Sequence, residues 1–230
     1  MSLIPAPLLS LFYPDCCAGC NTPLFTHENA VCTSCIENLP RTKFLDDPEN
    51  EVEKIFWGRV PVLAAGSFLF FVKGGILQNM LHQLKYKSHT VVGEELGRLA
   101  GGALLNSNRF NAIDCVVPIP LHEKKLKKRG YNQCSFIGEK IAEQLNADYN
   151  DFALLKVTHN ESQTRKSKFQ RWLNVKTIFQ IAEPESIQNK HVLLIDDVVT
   201  TGSTLEAAAQ KLLSVKGVRV SIFTVAFTKK

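Results

Sequence analysis

The stretch HVLLIDDVVTTGSTL, residues 191–205, decides the fold. An apolar run ends in two adjacent carboxylates, Asp196 and Asp197, and a turn rich in hydroxyls and glycine then opens a predicted helix at about Ser203. Backbone N–H groups in such a turn, together with the positive end of the helix dipole, favour a phosphate. Ionised carboxylates only accept hydrogen bonds, so beside a phosphate they require donors such as sugar hydroxyls, or a divalent cation. A phosphorylated ribose with Mg²⁺ meets both requirements.

Strands and helices alternate from about residue 60 onward, which predicts an α/β fold with a doubly wound, mostly parallel sheet. Hydrophobic periodicity predicts strands within 60–71, 113–119, 152–157, 191–195 and 218–227, and helices within 73–86, 91–105 and 135–145. Residues 41–56 are charged and interrupted by proline, which is typical of a linker, and 158–175 are interpreted as a mobile lid. Ligands of such sheets bind beyond the carboxyl ends of the strands, so the loops after Ile119 and Ile195 should face one crevice.

Length and composition exclude several classes of protein. The 230 residues allow one full α/β domain plus a small appendage, and a composition of 45% hydrophobic and 21% charged residues argues against general disorder. No apolar run is long enough for a membrane span, and the N-terminus lacks the basic region of a signal peptide, so we expect a cytoplasmic protein. A P-loop ATPase is excluded because the chain has no G-x-x-x-x-G-K-[ST] motif.

The N-terminal cysteines predict a structural metal site. Cys17, Cys20, Cys32 and Cys35 form two C-x-x-C pairs, a spacing that suits a tetrahedral Zn²⁺ site. Disulfides are the alternative, which a reducing cytosol disfavours. Cys16 is a spare thiol, His27 is a possible replacement ligand, and the remaining two cysteines are interpreted as small buried hydrophobes, Cys115 and Cys134.

A second motif, VVPIPLHEKKLKKRGYNQ at 116–133, suits another anionic group. Pro118 and Pro120 stiffen the turn after a predicted strand, and the basic run 124–129 follows directly. This run could meet polyphosphate, nucleic acid or only solvent. His122 lies close to the turn and is either a proton shuttle or a solvent-facing side chain.

The first stretch resembles the 5-phosphoribosyl-1-pyrophosphate (PRPP) motif of type I phosphoribosyltransferases, in which an apolar strand, two acids and two small apolar residues precede T-T-G-x-T. The resemblance implies the type I phosphoribosyltransferase fold. It also implies that Asp196 and Asp197 hold the ribose 2′ and 3′ hydroxyls. The 5′-phosphate would then be wrapped by the five residues Thr200, Thr201, Gly202, Ser203 and Thr204.

The motifs together resemble the ComF/GntX-type phosphoribosyltransferase-like family, which carries V-P-V-P-L followed by R-G-[FY]-N-Q, an N-terminal four-cysteine zinc finger and a Lys-Tyr pair matched by Lys85 and Tyr86. A further family element is matched by Gln163, Arg171, Asn174 and Val175. The resemblance implies a pyrophosphate loop at Pro118, Ile119, Pro120 and Leu121, supported by Arg129, Tyr131, Asn132 and Gln133 after Gly130. Asn132 and Gln133 have the simpler alternative of opening a helix.

Two functions follow from this resemblance, which associates the family with DNA uptake and natural transformation. In the first, the chain binds PRPP or a related phosphoribosyl ligand with Mg²⁺ and, if active, is a phosphoribosyltransferase; no catalytic side chain is assigned. In the second, it is a non-catalytic factor that handles single-stranded DNA in competence or recombination, with the pocket sensing a ligand and with competence or recombination proteins as partners. The expected domains are a zinc-finger segment at 1–45 and a phosphoribosyltransferase domain at 58–230.

Overall fold

The computed structural model describes residues 14–87, 89–157 and 179–229. The helices are α1 (Thr33–Glu37), α2 (Glu51–Phe56), α3 (Ile76–Tyr86), α4 (Thr90–Leu105), α5 (Glu123–Arg129), α6 (Gln133–Leu145), α7 (Pro184–Ile187) and α8 (Ser203–Leu212). The strands are β1 (Ala65–Phe70), β2 (Cys115–Pro118), β3 (Asp148–Tyr149), β4 (Leu154–Lys156), β5 (Phe179–Ile181), β6 (His191–Val199) and β7 (Arg219–Phe227). No helix in the described ranges combines the length and apolar character that crossing a membrane needs.

The centre of the fold is a parallel sheet of five strands in the order β1-β7-β6-β2-β3. Alternate residues of a strand point to opposite faces, so Leu193 and Ile195 of β6 pack with α3, α4 and α6, whereas Val192 and Leu194 pack with α2 and α8. Apolar residues therefore run almost without interruption along β6, as expected of a strand that is buried on both faces. Helices cover both faces, which confirms the predicted doubly wound α/β fold.

The C-terminal ends of β2 and β6 lie side by side, because Pro118 pairs with Ile195 in the parallel register. The loops that follow these two strands consequently face the same edge of the sheet, as the sequence predicts. Strands β4 and β5 form a separate antiparallel pair outside the main sheet.

The prediction that 41–56 is a linker is wrong. Asn50 is buried, caps α2 through its side-chain oxygen, and donates from Nδ2 to the carbonyl of Ala65 on β1 at 2.8 Å. Val52 and Phe56 are fully buried against the sheet, and Glu53 pairs with Arg109. The segment is polar because its polar side chains cap α2 and form an ion pair. The apolar face of the helix belongs to the core.

The cysteine-rich segment packs onto the main core. Asn79 of α3 donates to the Gly19 carbonyl at 2.8 Å, and Cys17, Cys32 and Cys35 belong to the same apolar cluster as Leu77 and Met80. A Cβ at Gly19 would lie 2.8 Å from Ile76 and 2.9 Å from the Cys35 sulfur, so this close approach requires glycine. The segment therefore shares its apolar contacts with the larger domain.

Candidate functional site

The turn after β6 forms a small cup at the start of α8. Gly202 caps the helix with φ +72°, a left-handed conformation that glycine adopts without a penalty. The side chains of Thr200, Thr201, Ser203 and Thr204 are exposed around it, and the Thr201 and Ser203 hydroxyls lie 3.2 Å apart. Four hydroxyl residues and the first N–H groups of a ten-residue helix therefore surround one position.

A cavity of 50 Å³ occupies this cup, and it is lined by Asp196 and by residues 198–205. Its volume suits one small group rather than a whole nucleotide. The residues predicted to bind the 5′-phosphate therefore surround one open cup. Asp196, one of the two acids predicted to bind the ribose, lies in its wall.

Both acids of the motif have protein partners. Asp196 accepts hydrogen bonds from the Asp197 N–H at 2.9 Å and from the Cys134 thiol at 3.7 Å. Asp197 is buried, forms an ion pair with Lys85, and accepts from Gln133 Nε2 at 3.1 Å. The carboxylates are therefore held by α3 and α6 while the neighbouring turn stays open to an anion.

Burial and the neighbouring charge of Asp197 raise the pKa of Asp196 to about 7. Burial, and next the charge of Asp196, raise the pKa of the Cys134 thiol, so Cys134 stays protonated and donates to Asp196. Lys85 supplies a cation to a pair that otherwise carries excess negative charge. A carboxylate pair of this kind fits a hard divalent cation or the hydroxyls of a sugar.

The motif R-G-Y-N-Q connects α5 to α6 and ties both to the acids. Arg129 donates to Gln133, which in turn donates to Asp197. Tyr131 donates to the Leu84 carbonyl at the end of α3, and Asn132 caps α6 while its Nδ2 donates to the Ile119 carbonyl at 3.0 Å. The helix-capping alternative for Asn132 therefore holds, and Gln133 is both the first residue of the helix and a partner of the acids.

The turn Pro118 to Leu121 offers little backbone to an anion. Pro118 and Pro120 have no N–H group, and the Ile119 N–H donates to the Ile195 carbonyl at 2.8 Å. The Leu121 N–H is the one that has no partner within the described part of the chain. Charge for a pyrophosphate group must therefore come mainly from side chains.

Such side chains line a cavity of 320 Å³ between α3 and α5. Within the described ranges, its walls are Lys85, Tyr86, Lys125, Lys128 and Arg129. The Arg129 guanidinium lies over the Tyr86 ring at 5.7 Å, and Tyr86 is 66% exposed. We call this the basic cavity; it reaches the acids through Lys85, which lines the cavity and pairs with Asp197.

His122 caps α5, and its Nδ1 accepts from the Lys124 N–H at 3.2 Å. His122 therefore has a structural role as the N-cap of α5, which the sequence did not predict.

Arg59 is a site residue that the sequence did not predict. It donates to the Thr201 carbonyl at 3.3 Å and to the Ile55 carbonyl at 3.0 Å, and it pairs with Glu206 of α8. Arg59 thus ties the phosphate turn to the segment after α2. Only a helix-start signature, Asn50 followed three residues later by Glu53, marks this region in the sequence; in the structure the Asn50 side chain caps α2.

The four predicted zinc ligands lie together. The sulfur atoms of Cys17, Cys20, Cys32 and Cys35 are within 4.8 Å of one another, and Cys20 and Cys32 are 3.7 Å apart. A tetrahedral Zn²⁺ with bonds of about 2.3 Å requires sulfur separations of about 3.8 Å, so the set fits this metal. Backbone N–H groups of Gly19 and Cys32 already donate to the Cys17 sulfur. Within the described residues, neither Cys16 nor His27 belongs to the cluster.

Several predicted residues fall outside the described ranges. These are the lid at 158–175 and the family element Gln163, Arg171, Asn174 and Val175. Cys115 and Cys134 are buried as predicted.

Comparison with known proteins finds a family model and several relatives to which this chain is similar. The model of the phosphoribosyl transferase domain matches residues 132–230. The DNA utilization protein YhgH of Escherichia coli strain K12 is 26% identical over 200 residues, which cover 86% of this chain and 77% of that protein. Competence protein F of Haemophilus influenzae is 23% identical over 223 residues, which cover 90% and 94%. Among solved structures, the glutamine PRPP amidotransferase of B. subtilis matches 61% of this chain and 30% of its own, at 17% identity and a TM-score of 0.43.

Proposed function

We propose that the chain is a type I phosphoribosyltransferase-like protein of the ComF family and that it binds PRPP or a related phosphoribosyl compound together with Mg²⁺ at the end of β6. The observation that carries this proposal is the cup formed by residues 198–205 with Asp196 in its wall. An anion is favoured there by helix N–H groups and hydroxyls, and the adjacent acids suit the sugar.

Binding requires the acids to exchange partners. Lys85 and Gln133 satisfy Asp197, and Cys134 donates to Asp196. Sugar hydroxyls or Mg²⁺ would take over these acceptor positions, and Lys85 would become available to the basic cavity, which it already lines. The same lysine can therefore neutralise an acid before binding and a phosphate afterwards.

In a transferase reaction, an acceptor nucleophile attacks C1 of PRPP and pyrophosphate leaves with the electrons of the broken C–O bond. Asp196 and Asp197 are the residues that would hold Mg²⁺, which would supply positive charge to the leaving group. Lys125, Lys128 and Arg129 supply fixed positive charge next to Lys85, where preorganised cations stabilise a departing anion. Release of pyrophosphate from PRPP, screened with candidate bases and with DNA, tests whether turnover occurs.

We further propose a link to DNA uptake. The relatives carry the names DNA utilization protein and competence protein F. In this chain, the zinc-finger segment at 1–45 and the phosphoribosyltransferase domain at 58–230 are the two proposed units, with Cys17, Cys20, Cys32 and Cys35 as structural Zn²⁺ ligands. Residues 46–57 belong with the second unit, since α2 packs against the sheet.

The basic cavity favours a second function, in which the protein handles single-stranded DNA. Single strands are bound by cations that follow the backbone and by aromatic rings on which bases stack. Lys125, Lys128 and Arg129 provide the charge, and the exposed Tyr86 ring lies among them. Lys127 instead pairs with Glu123 and does not line the cavity.

Calorimetry with PRPP and Mg²⁺ tests the first function. Asp196→Asn combined with Asp197→Asn should abolish Mg²⁺-dependent binding, because amides keep the shape but lose the charge. Asp148→Asn is the matched control, since this acid pairs with Lys190 near the N-terminal ends of the parallel strands, away from the cup. Unchanged affinity in the double variant would refute the proposed contacts with ribose and Mg²⁺.

Fluorescence anisotropy with a labelled single-stranded oligonucleotide tests the second function. Charge reversal at Lys125 and Lys128 should weaken binding strongly, and the affinity of the wild type should fall steeply as salt rises. Lys127→Glu should weaken it much less, because Lys127 lies outside the basic cavity. An affinity for the oligonucleotide that changes neither with salt nor with charge reversal at Lys125 and Lys128 would refute DNA binding.

A further inference from the structure

A second cavity, of 560 Å³, borders the phosphate turn and shares Thr200, Thr201 and Ser203 with the cup. We call it the outer cavity. Its other walls come from the end of β7 and from α2 with the residues that follow it, which places it on the β7 side of β6. The basic cavity lies on the other side, against α3 and α5.

The outer cavity combines apolar walls with a charged rim, to which Glu51, Arg59 and Lys229 contribute. Ile55 and Phe227 supply apolar surface, and Thr228 lies beside Phe227. Lys229 reaches the rim and remains 73% exposed on its side chain despite a 3.6 Å contact with Glu51. Arg59 is already committed to Glu206 and the Thr201 carbonyl, so Lys229 is the cation that a second phosphate would meet.

On the proposed function, PRPP has no group that would enter this space. Its 5′-phosphate is a terminal group, and the cup alone holds such a phosphate. The outer cavity falls within the range of about 300–1,000 Å³ that small-molecule sites usually have. Since the two cavities share three residues of the phosphate turn, a ligand can continue from the 5′-phosphate into the outer cavity.

We infer that the outer cavity takes a nucleoside that the ligand carries beyond its 5′-phosphate, so that the ligand class is a ribose with free hydroxyls whose 5′-phosphate is joined to a second nucleotide. This inference rests on the proposed function, because it places the ribose on Asp196 and the 5′-phosphate in the cup. The apolar walls then contact the added nucleoside, and Lys229 faces the second phosphate.

The probes are ribose 5-phosphate and ADP-ribose, which share the ribose and the 5′-phosphate and differ in the attached nucleotide. Calorimetry on the full-length, zinc-loaded protein with Mg²⁺ should show that ADP-ribose binds about tenfold or more tightly than ribose 5-phosphate, a difference of about 1.4 kcal/mol. Thr228→Trp fills the outer cavity and should abolish this preference while the affinity for ribose 5-phosphate stays unchanged.

Lys229→Glu is a second variant at an exposed site, which keeps the test valid if Thr228→Trp does not fold. It should weaken ADP-ribose selectively. Lys216→Glu, at the opposite end of β7, is its matched control.

The outcomes separate the two claims. If ribose 5-phosphate binds and ADP-ribose binds no more tightly, the inference is overturned and the proposed function stands. If ADP-ribose is preferred but neither variant reduces the preference, the inference is overturned as well. If neither ligand binds, the proposed function is refuted, and so is the inference that rests on it.

Discussion

Asp196 and Asp197 are the residues on which the site depends; α6 contacts both acids, and α3 contacts Asp197 as well. Cys134 on α6 donates to Asp196, whereas Lys85 on α3 pairs with Asp197. The sequence predicted both acids at the end of an apolar strand, whereas β6 continues to Val199 and includes them. It could not predict their partners, because Gln133 is 64 residues from Asp197 and Lys85 is farther still, so only packing of α3 and α6 brings them together.

The raised pKa of Asp196 predicts that ligand affinity depends on pH. Burial and Asp197 raise this pKa to about 7, and Mg²⁺ or hydroxyl donors bind the ionised form. Affinity should therefore fall by up to about tenfold per pH unit as the pH drops below that value. Lys85 lowers the pKa of Asp196, so Lys85→Met should raise it further and shift the fall in affinity to higher pH.

Calorimetry at a series of pH values measures ligand affinity as a function of pH for the wild type and for Lys85→Met. The phosphate of the ligand itself titrates near pH 6, at about its second pKa, but it does so equally with wild type and variant. The shift between the two curves therefore belongs to the protein. Superimposed curves would contradict the assigned coupling between Lys85 and Asp196.

At the scale of elements, the phosphate turn is braced by α2. Phe56 and Ile55 pack close to Gly202, and Arg59 binds the Thr201 carbonyl. The sequence predicted the strand, the turn and α8, since these have strong local patterns. It failed for α2, because a six-residue helix is too short for a clear period and its capping residues resemble a charged loop.

Gly202→Ala tests this brace. The residue has φ +72°, and an added Cβ would lie 2.5 Å from Ile55 Cγ2, so the variant should be destabilised by at least about 1–2 kcal/mol and lose phosphate affinity. Gly102→Ala is the matched control, because Gly102 lies in α4 with no atom near its Cβ position and should be neutral or stabilising by up to about 1 kcal/mol. Urea unfolding measures the free energy of unfolding of both variants. Equal values for the two would contradict the proposed support of the phosphate turn by α2.

At the scale of the whole molecule, the cysteine cluster and the sheet share one core. Three of its cysteines, Cys17, Cys32 and Cys35, lie in the same apolar cluster as α3 and α4, so loss of a metal bound there should affect more than the N-terminal segment. The sequence predicted the ligands from their spacing. It did not predict their packing on α3, because nothing in the C-x-x-C spacing specifies an external contact surface.

Metal analysis of purified variants checks this site. Wild type and Cys16→Ser should each hold one zinc per chain, since Cys16 lies outside the four-sulfur cluster. Cys35→Ser should lose the metal and unfold at a lower temperature, because structural zinc contributes folding free energy. A Cys16→Ser protein without zinc would show that the ligand set is different.

A crystal structure with PRPP and Mg²⁺ is the most direct measurement of how the site works. We expect the 5′-phosphate within hydrogen-bond distance of the N–H groups at 201–204, the ribose hydroxyls or Mg²⁺ on Asp196 and Asp197, and Lys85 released from Asp197. A phosphate bound elsewhere, with Asp197 still held by Lys85 and Gln133, would contradict the account.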